Sequence, residues 1–232
     1  MGRKRSTVWR TRIAGVLLLA ALAGGGYAWW QGQHWRPDRA AFPQQGAIVG
    51  SQDGTVAFDG LGAIGAGFVY LQASAGEEGR DPAFGRNLAA LEATALPFGV
   101  IHAYDPCVPA ERQAANFLTI VPRDADMLPP AIELSKTAED CEDHLAEIAV
   151  ESELTTFLNQ VEGHTGRSAV LKLSPAFEER YEIARSIERP LWLERDWQQP
   201  DYAGRPWTLW TANAHFANEA SDDPLRWVVV QP

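Results

Sequence analysis

The sequence predicts an α/β fold: a single irregular (β/α) TIM-like barrel of about eight strands, preceded by an N-terminal transmembrane or signal helix. Short apolar runs alternate with helical patterns from residue 42 to the C-terminus, which is typical of parallel strands covered by helices. About eight such runs are enough for the sheet to close on itself. A stretch of 18 residues without charge precedes them.

The uncharged stretch, residues 13–30, has the sequence IAGVLLLAALAGGGYAWW and follows a basic flank at residues 1–12. About 20 apolar residues cross a bilayer, and basic residues before the span keep that end cytoplasmic. Tyr27, Trp29 and Trp30 stand where interfacial aromatic residues belong. The sequence therefore predicts a single-pass protein of the inner (cytoplasmic) membrane, with its domain facing the periplasm or the cell exterior. The alternative is a signal peptide cleaved after Ala23, which would give a secreted protein.

Charge is unevenly distributed along the chain. Its 20 basic and 30 acidic residues give a net charge of -10, yet residues 1–36 hold six basic residues and no acidic one. An acidic body excludes a general nucleic-acid binder, because neutralising phosphates requires clustered lysines and arginines. The sequence predicts no cofactor. It also predicts no metal site, since Cys-x-x-Cys and close His–Cys spacings are lacking.

A polar segment, residues 31–41, predicts a linker between the N-terminal helix and a barrel at residues 42–232. Apolar runs predict the strands of the barrel. These are Ala47–Gly50, Phe68–Ala73, Phe98–Tyr104, Ala131–Leu134, Ala169–Leu173, Leu191–Leu193, Thr208–Thr211 and Trp227–Val230.

Caps and prolines mark the helices between these strands. Asp81-Pro82 predicts the first helix start, and a second helix follows Pro109. A weaker helix follows Pro175, and the last 40 residues predict strands only. The longest helix of the body is predicted from about Cys141 to Glu162, ending at Gly163. Its acidic start is Glu142 and Asp143, and its apolar stripe is Leu145, Ile148, Leu154, Phe157, Leu158 and Val161.

The chain has two cysteines, Cys107 and Cys141. An exported compartment permits a disulfide between them, and the alternative is two unrelated buried thiols. In a (β/α) barrel the active site lies at the C-terminal ends of the strands, so polar residues just after each strand are the candidates for chemistry.

Seven segments of the barrel carry a resemblance to a known family. They are GAIVGSQDGTVAF (46–58), FVYLQASAG (68–76), FGVIHAY (98–104) with QAANF (113–117), LPPAIELS (128–135), PLWLE (190–194), WTLW (207–210) and PLRWVVVQP (224–232). In this order they resemble glycoside hydrolase family 25, the Chalaropsis-type lysozymes that cleave peptidoglycan as N-acetylmuramidases. The resemblance covers residues 42–232 and implies peptidoglycan or another cell-wall glycan as the partner.

The same segments depart from the family's pattern at its acidic positions. The family has an aspartate in its first strand, an Asp-x-Glu pair after Leu-Pro-Pro and an aspartate in its last strand. This chain has Ile48, then Glu133 and Ser135, and then Arg226. Three further departures are Gln72, Ala75 and Ile101, whereas the family's third-strand histidine remains as His102.

These replacements bear directly on catalysis. Glycoside hydrolysis needs a carboxylic acid to protonate the leaving oxygen and a second carboxylate. Ser135, at the position that resembles the proton donor, is too weak an acid, because a useful catalytic pKa lies near the operating pH. Glu133 is the only retained carboxylate and therefore the only catalytic candidate. We expect a lysozyme-like domain that acts on or binds peptidoglycan and is catalytically degenerate.

Two other functions stay open at this stage. An active N-acetylmuramidase would need a relocated acid near Glu133, and a structural envelope module would use the barrel as a scaffold. The candidates for the relocated acid are Glu77, Asp105, Glu194 and Asp196. In a degenerate site, we expect Glu133 to form a structural ion pair with Arg226 or Lys136.

The candidate glycan-binding residues are His102, Tyr104 and Trp210. Tyr104 and Trp210 are proposed as sugar platforms because aromatic faces bind sugar rings.

Overall fold

The computed structural model describes residues 3–123, 126–142 and 146–232. An N-terminal helix, α1 (Arg3–His34), precedes the barrel. Within the described residues, the segment Ile13–His34 of this helix is the one span long and apolar enough to cross a membrane. The predicted apolar helix is therefore present, and it continues past Trp30 through residues that were expected to form a linker.

Eight strands of the described chain close into a barrel, in which each strand pairs with the next and the last returns to the first. They are β1 (Gln45–Val49), β2 (Phe68–Ala75), β4 (Phe98–Ala103), β5 (Ala131–Leu134), β6 (Val170–Leu173), β7 (Leu191–Glu194), β8 (Leu209–Phe216) and β9 (Leu225–Val230). A short strand, β3 (Gly79–Arg80), forms a hairpin with β2. The predicted barrel is confirmed, with strand ends that differ by a few residues.

Strand direction defines the two ends of this barrel. All the pairs from β1 to β8 around the barrel are parallel, whereas β9 runs antiparallel to both of its neighbours. The C-terminal ends of the parallel strands therefore lie together, and we call this end the mouth. Active sites of (β/α) barrels lie at this end.

Six short or medium helices cover the outside of the barrel within the described residues. They are α2 (Phe58–Ile64), α3 (Phe84–Glu92), α4 (Ala110–Ile120), α5 (Glu147–Thr165), α6 (Pro175–Tyr181) and α7 (Ile183–Ser186). Their buried side chains, such as Leu61, Leu91, Phe117 and Leu154, form the main core against the outward-facing residues of the strands.

Several predicted helix limits need correction. Helix α3 begins at Phe84, because the Asp81 carboxylate accepts the N–H of Ala83 within a turn before the helix. The longest body helix begins at Glu147, and Cys141, where it was expected to begin, is held in a disulfide ahead of it. It ends at Thr165, where Gly166 adopts the left-handed φ of 67° that favours glycine. The predicted end at Gly163 is therefore wrong.

The predicted apolar stripe of this helix is correct except at one described position. Ile148 is 73% exposed, whereas Leu154, Phe157, Leu158 and Val161 are buried. Asp143 and Leu145 lie outside the described residues.

Alternation along the strands separates an inner from an outer layer. A compact apolar cluster that includes Ile48, Tyr70, Ile101 and Trp192 fills the inside of the barrel. The residues between them along each strand face the helices. Inward-facing residues that follow this plug along the parallel strands lie at the mouth.

Candidate functional site

A buried lysine joins two carboxylates inside the mouth. Lys172 on β6 donates to Glu133 Oε1 at 2.6 Å and to Glu194 Oε2 at 2.9 Å. Glu133 stands directly opposite Lys172 across the β5–β6 pair, and Glu194 ends the strand on the other side. The Lys172 side chain is only 6% exposed. Burial opposes its charge, but the two carboxylates outweigh burial and raise the pKa of Lys172 above its ordinary value.

A second ion pair lies across the mouth, where β1 meets β9. Arg226 stands directly opposite Ile48 in this antiparallel pair and donates to Asp53 Oδ2 at 3.0 Å. Asp53 also accepts the N–H of Gly50 at 2.6 Å and is buried. Burial raises the pKa of the Asp53 carboxyl, and the Arg226 guanidinium opposes part of that rise.

Two glutamines connect this ion pair to the neighbouring strand. When the Gln52 amide is assigned from its hydrogen-bond partners, its oxygen accepts from Arg226 Nη1 at 2.9 Å and its nitrogen donates to Gln72 Oε1 at 3.0 Å. The rim of the mouth is therefore a connected polar surface. Two of its cations, Lys172 and Arg226, form ion pairs, Lys172 with two carboxylates and Arg226 with one.

The ion-pair partner expected for Glu133 was wrong. Its partner is Lys172, whereas Lys136 pairs with Asp105 at 2.7 Å and Arg226 pairs with Asp53. The reason is strand register, because Lys172 lies beside Glu133 inside the barrel and Lys136 lies on the exposed segment after β5.

Of the four acids considered for a relocated site, only Glu194 contacts the Glu133 cluster. Glu77 pairs with Arg112 at the surface, Asp105 pairs with Lys136, and Asp196 accepts the N–H of Ala214. Glu133 and Glu194 both accept from Lys172 Nζ. The distance between their two bonded oxygens therefore cannot exceed the sum of the two hydrogen-bond lengths. The pair is therefore too close for the separation of about 6.5–9.5 Å in inverting glycosidases and no wider than the pair of about 5–5.5 Å in retaining ones.

The other positions that resemble the family's acids carry no carboxylate. Ile48 is fully buried in the apolar plug, and Ser135 is exposed at the rim.

Two adjacent depressions open at the mouth. One, of about 280 Å³, is lined by residues that include Gln52, Gln72 and Glu133. The other, of about 400 Å³, is lined by residues that include Tyr104 and Ser135. They share Ala75, Gly79 and Ala103, so together they form an extended groove across the ends of β2, β4 and β5. An extended groove with some polar groups in its lining can accommodate a chain-shaped ligand.

A larger cavity, of about 730 Å³, lies at the opposite end of the barrel. Prolines, glycines and apolar residues such as Phe68 and Leu209 line most of it. Its lining includes Arg39, and none of its described residues is acidic. Because (β/α) barrels place chemistry at the C-terminal ends of their strands, we assign the candidate site to the mouth despite the greater volume here.

The candidate glycan-binding residues do not join the Glu133 cluster. His102 is fully buried on the outer face of β4, where Nδ1 lies 2.8 Å from Ser74 Oγ. Trp210 is buried on the outer face of β8, and its Nε1 donates to the Arg195 carbonyl. Tyr104 is buried beside Phe157 at the edge of the second depression. Their direct contact with a glycan stays a prediction.

Sequence reasoning missed Lys172, the centre of the site. The available signal was a single charged residue at an alternate position in the apolar run Val170–Leu173. A lysine inside a buried strand needs an acidic partner, and both neighbouring strands carry one, Glu133 in β5 and Glu194 at the end of β7. The predicted disulfide between Cys107 and Cys141 is present, and it joins the loop after β4 to the segment after β5 beside the groove.

Comparison with known proteins identifies relatives of this barrel. The sequence profile of the glycosyl hydrolases family 25 matches residues 49–219. The "uncharacterized protein YegX" of Escherichia coli K12 is 26% identical over 144 residues, which are 62% of this chain and 51% of that protein. The chain therefore spans about half the length of the curated relatives it matches.

Solved structures show the same fold. A family 25 glycosyl hydrolase from Bacillus anthracis superposes with a TM-score of 0.78 and 21% identity, over 86% of this chain and 93% of that one. A bacterial lysozyme from Streptomyces coelicolor superposes with a TM-score of 0.71 and 17% identity, over 82% of this chain and 92% of that one. At these identities the likeness concerns the fold alone.

Proposed function

Because the chain belongs to glycosyl hydrolase family 25, we propose that residues 42–232 bind the glycan of peptidoglycan at the mouth without hydrolysing it. We propose further that residues 13–30 anchor this domain in the inner membrane as a single-pass span. Residues 1–12 would then form a cytoplasmic flank, and the barrel would face the periplasm or the cell exterior. The family and the extended groove support the ligand, and the apolar helix with its basic flank supports the anchor.

One observation carries the loss of hydrolysis: the two carboxylates of the Glu133 cluster, Glu133 and Glu194, are both bound to Lys172. A glycosidase needs a carboxyl group that holds a proton at the leaving oxygen. A carboxylate in an ammonium ion pair has no proton to donate. Ile48, Ser135 and Arg226 supply no substitute at the positions that resemble those of the family's acids.

The first test measures hydrolysis of purified peptidoglycan by the full-length protein in detergent. We expect no release of soluble fragments above the buffer control, for the wild type and for Glu133→Gln alike. Release by the wild type would contradict the loss of activity.

The second test measures retention of the protein on insoluble peptidoglycan. Ala75 is exposed and lines both depressions, so Ala75→Trp should obstruct the groove and weaken retention by about tenfold, or about 1.4 kcal/mol. Ala63→Trp is the matched control, because Ala63 is exposed at the opposite end of the barrel. Equal retention of the two variants would argue against glycan binding at the mouth.

A second candidate function, an active N-acetylmuramidase, is favoured by the closeness of Glu133 and Glu194. Two carboxylates this close favour a retaining over an inverting mechanism, provided that Lys172 releases one of them when substrate binds. Fragment release by the wild type that both Glu133→Gln and Glu194→Gln abolish would support it.

A further inference from the structure

Hydrogen bonds fix the last turn of α1 to the barrel. The Gly32 carbonyl accepts from Asn213 Nδ2 at 2.9 Å and from Trp197 Nε1 at 3.1 Å. The Gln33 carbonyl accepts the N–H of Ala217 at 2.8 Å. The final carbonyls of a helix have no partner within the helix, so donors from the barrel cap α1. The helix and the barrel are therefore joined directly instead of by a free linker.

The residues that hold α1 belong to the mouth end of the barrel. Trp197 lies three residues after Glu194, the last residue of β7, and Asn213 lies in the second half of the parallel strand β8. From there residues 35–44 run along the outside of the barrel to its opposite end, where the Gln44 carbonyl accepts the N–H of Val230. Helix α1 thus leaves the barrel on the side where Glu133 lies.

Helix length places this junction at a membrane boundary. Residues 13–31 are all exposed, so α1 leaves the barrel without packing along it. At about 1.5 Å per residue, the segment from Ile13 to Gly32 spans about 30 Å, which is the thickness of the hydrocarbon core. Barrel residues that touch Gly32 would then lie at the level of the lipid headgroups.

Exposed aromatic side chains surround the junction. Trp29 and Trp30 are exposed on α1, and Trp197 of the barrel is 55% exposed beside them. Trp29 and Trp197 line the same depression, of about 290 Å³. Trp197 has a φ of 65°, which is unfavourable for a bulky residue, and its N–H bonds to the Ala212 carbonyl. An exposed tryptophan that is held in a strained backbone conformation fits a role at a membrane interface, where tryptophan is enriched.

We propose that the mouth of the barrel is turned toward the membrane and that Trp197 joins Trp29 and Trp30 in contacting the headgroup region of a phospholipid bilayer. This inference rests on the proposed membrane attachment of α1. It adds an orientation: a glycan held in the groove would lie at the membrane surface, with the opposite end of the barrel pointing away from it.

Energy transfer to the bilayer tests this orientation. Glu78 is exposed on the mouth side of the barrel and Ala63 is exposed at the opposite end. Glu78→Cys and Ala63→Cys full-length proteins, labelled with a donor dye without reduction of the disulfide, are reconstituted into phosphatidylcholine vesicles that carry a headgroup-labelled acceptor lipid. Strands rise about 3.3 Å per residue, so labels at opposite ends of the barrel should differ by about 20 Å in their distance from the membrane. Energy transfer from position 78 should therefore be about twofold higher than from position 63. Equal or reversed transfer would overturn the proposal.

Two further measurements separate the ways in which the proposal can fail. Flotation of the unlabelled protein with vesicles reports membrane attachment by itself, so a protein that does not float contradicts the proposed anchor before orientation is considered. Trp197→Ala combined with Asn213→Ala removes both side-chain bonds to Gly32, and it should reduce the difference between the labels by half or more. Asn218→Ala, which removes only local bonds to Phe216, Ala220 and Ser221, is the matched control. A difference that persists in the double variant would refute the role of this junction.

Discussion

Buried polar residues are satisfied in opposite ways on the two faces of the barrel sheet. Inside the mouth, Lys172 forms ion pairs with Glu133 and Glu194. On the outside of β4, His102 lies between Ser74 and Gln113 in a network of neutral groups. His102 and Glu133 lie on adjacent parallel strands, and alternation along each strand separates their environments.

The difference shows that strand alternation determines which of the residues expected from the family resemblance reach the candidate site. Glu133 points inward and reaches the candidate site, whereas the equally expected His102 points outward and supports a loop. Gln113, which contacts His102, also accepts the N–H of Asp105 and donates to the Val108 carbonyl. The histidine thus stabilises the segment that contains Cys107. The two regions should therefore respond differently to charge and to pH.

The largest effect is expected from removing the cation inside the mouth. Lys172→Met leaves two carboxylates without their partner, and breaking a buried ion pair from one side costs about 3–5 kcal/mol. Because Glu194 is 35% exposed and water can solvate it, we expect a value at the lower end. Denaturant unfolding of the full chain in detergent measures the change.

A compensating variant tests the cause. Lys172→Met combined with Glu133→Gln and Glu194→Gln removes the unpaired charges and should recover about half of the lost stability. If the triple variant is no more stable than the single one, packing around Lys172, instead of its charge, holds this region together.

An effect of similar size, which depends on pH, is expected on the outer face, where burial lowers the pKa of His102 to about 4. The unfolded chain has a histidine pKa of about 6.5, so the unfolded state binds the proton more tightly. The contribution of His102 to the free energy of unfolding is therefore fully present above about pH 6.5. About 3 kcal/mol of it is lost as the pH falls toward 4. Unfolding free energies measured between pH 7 and pH 4 give the slope.

Substitution assigns that slope to one residue. His102→Gln retains hydrogen-bonding groups but cannot gain the charge, so its unfolding free energy should vary less with pH by about 3 kcal/mol. His215→Gln, at an exposed histidine, is the control and should keep the slope of the wild type. An unchanged slope in His102→Gln would show that other groups control acid unfolding.

Local patterns in the sequence predicted much of this molecule, and contacts between distant strands account for the rest. Apolar runs fixed the strands to within a few residues, and export suggested the disulfide. The partner of Glu133 is 39 residues away and depends on strand register, which the pattern of β6 does not encode. Helix α1 continues to His34, and its Gly32 carbonyl bonds to Trp197 and Asn213, contacts that the polar composition of residues 31–41 does not encode.

The smallest effect is expected at Lys136, which makes a lysine–carboxylate pair at the same end of the barrel as Lys172. Lys136 donates to Asp105 at 2.7 Å, as short a contact as those of Lys172, but its side chain is 43% exposed. Exposed pairs contribute about 0–1 kcal/mol, because water replaces the lost partner and salt screens the attraction. Lys136→Met should therefore cost less than 1 kcal/mol, and less still at high salt. If Lys136→Met lowers the free energy of unfolding as much as Lys172→Met does, burial is not what distinguishes the Lys172 cluster. The contrast between buried and exposed ion pairs then fails at the mouth itself.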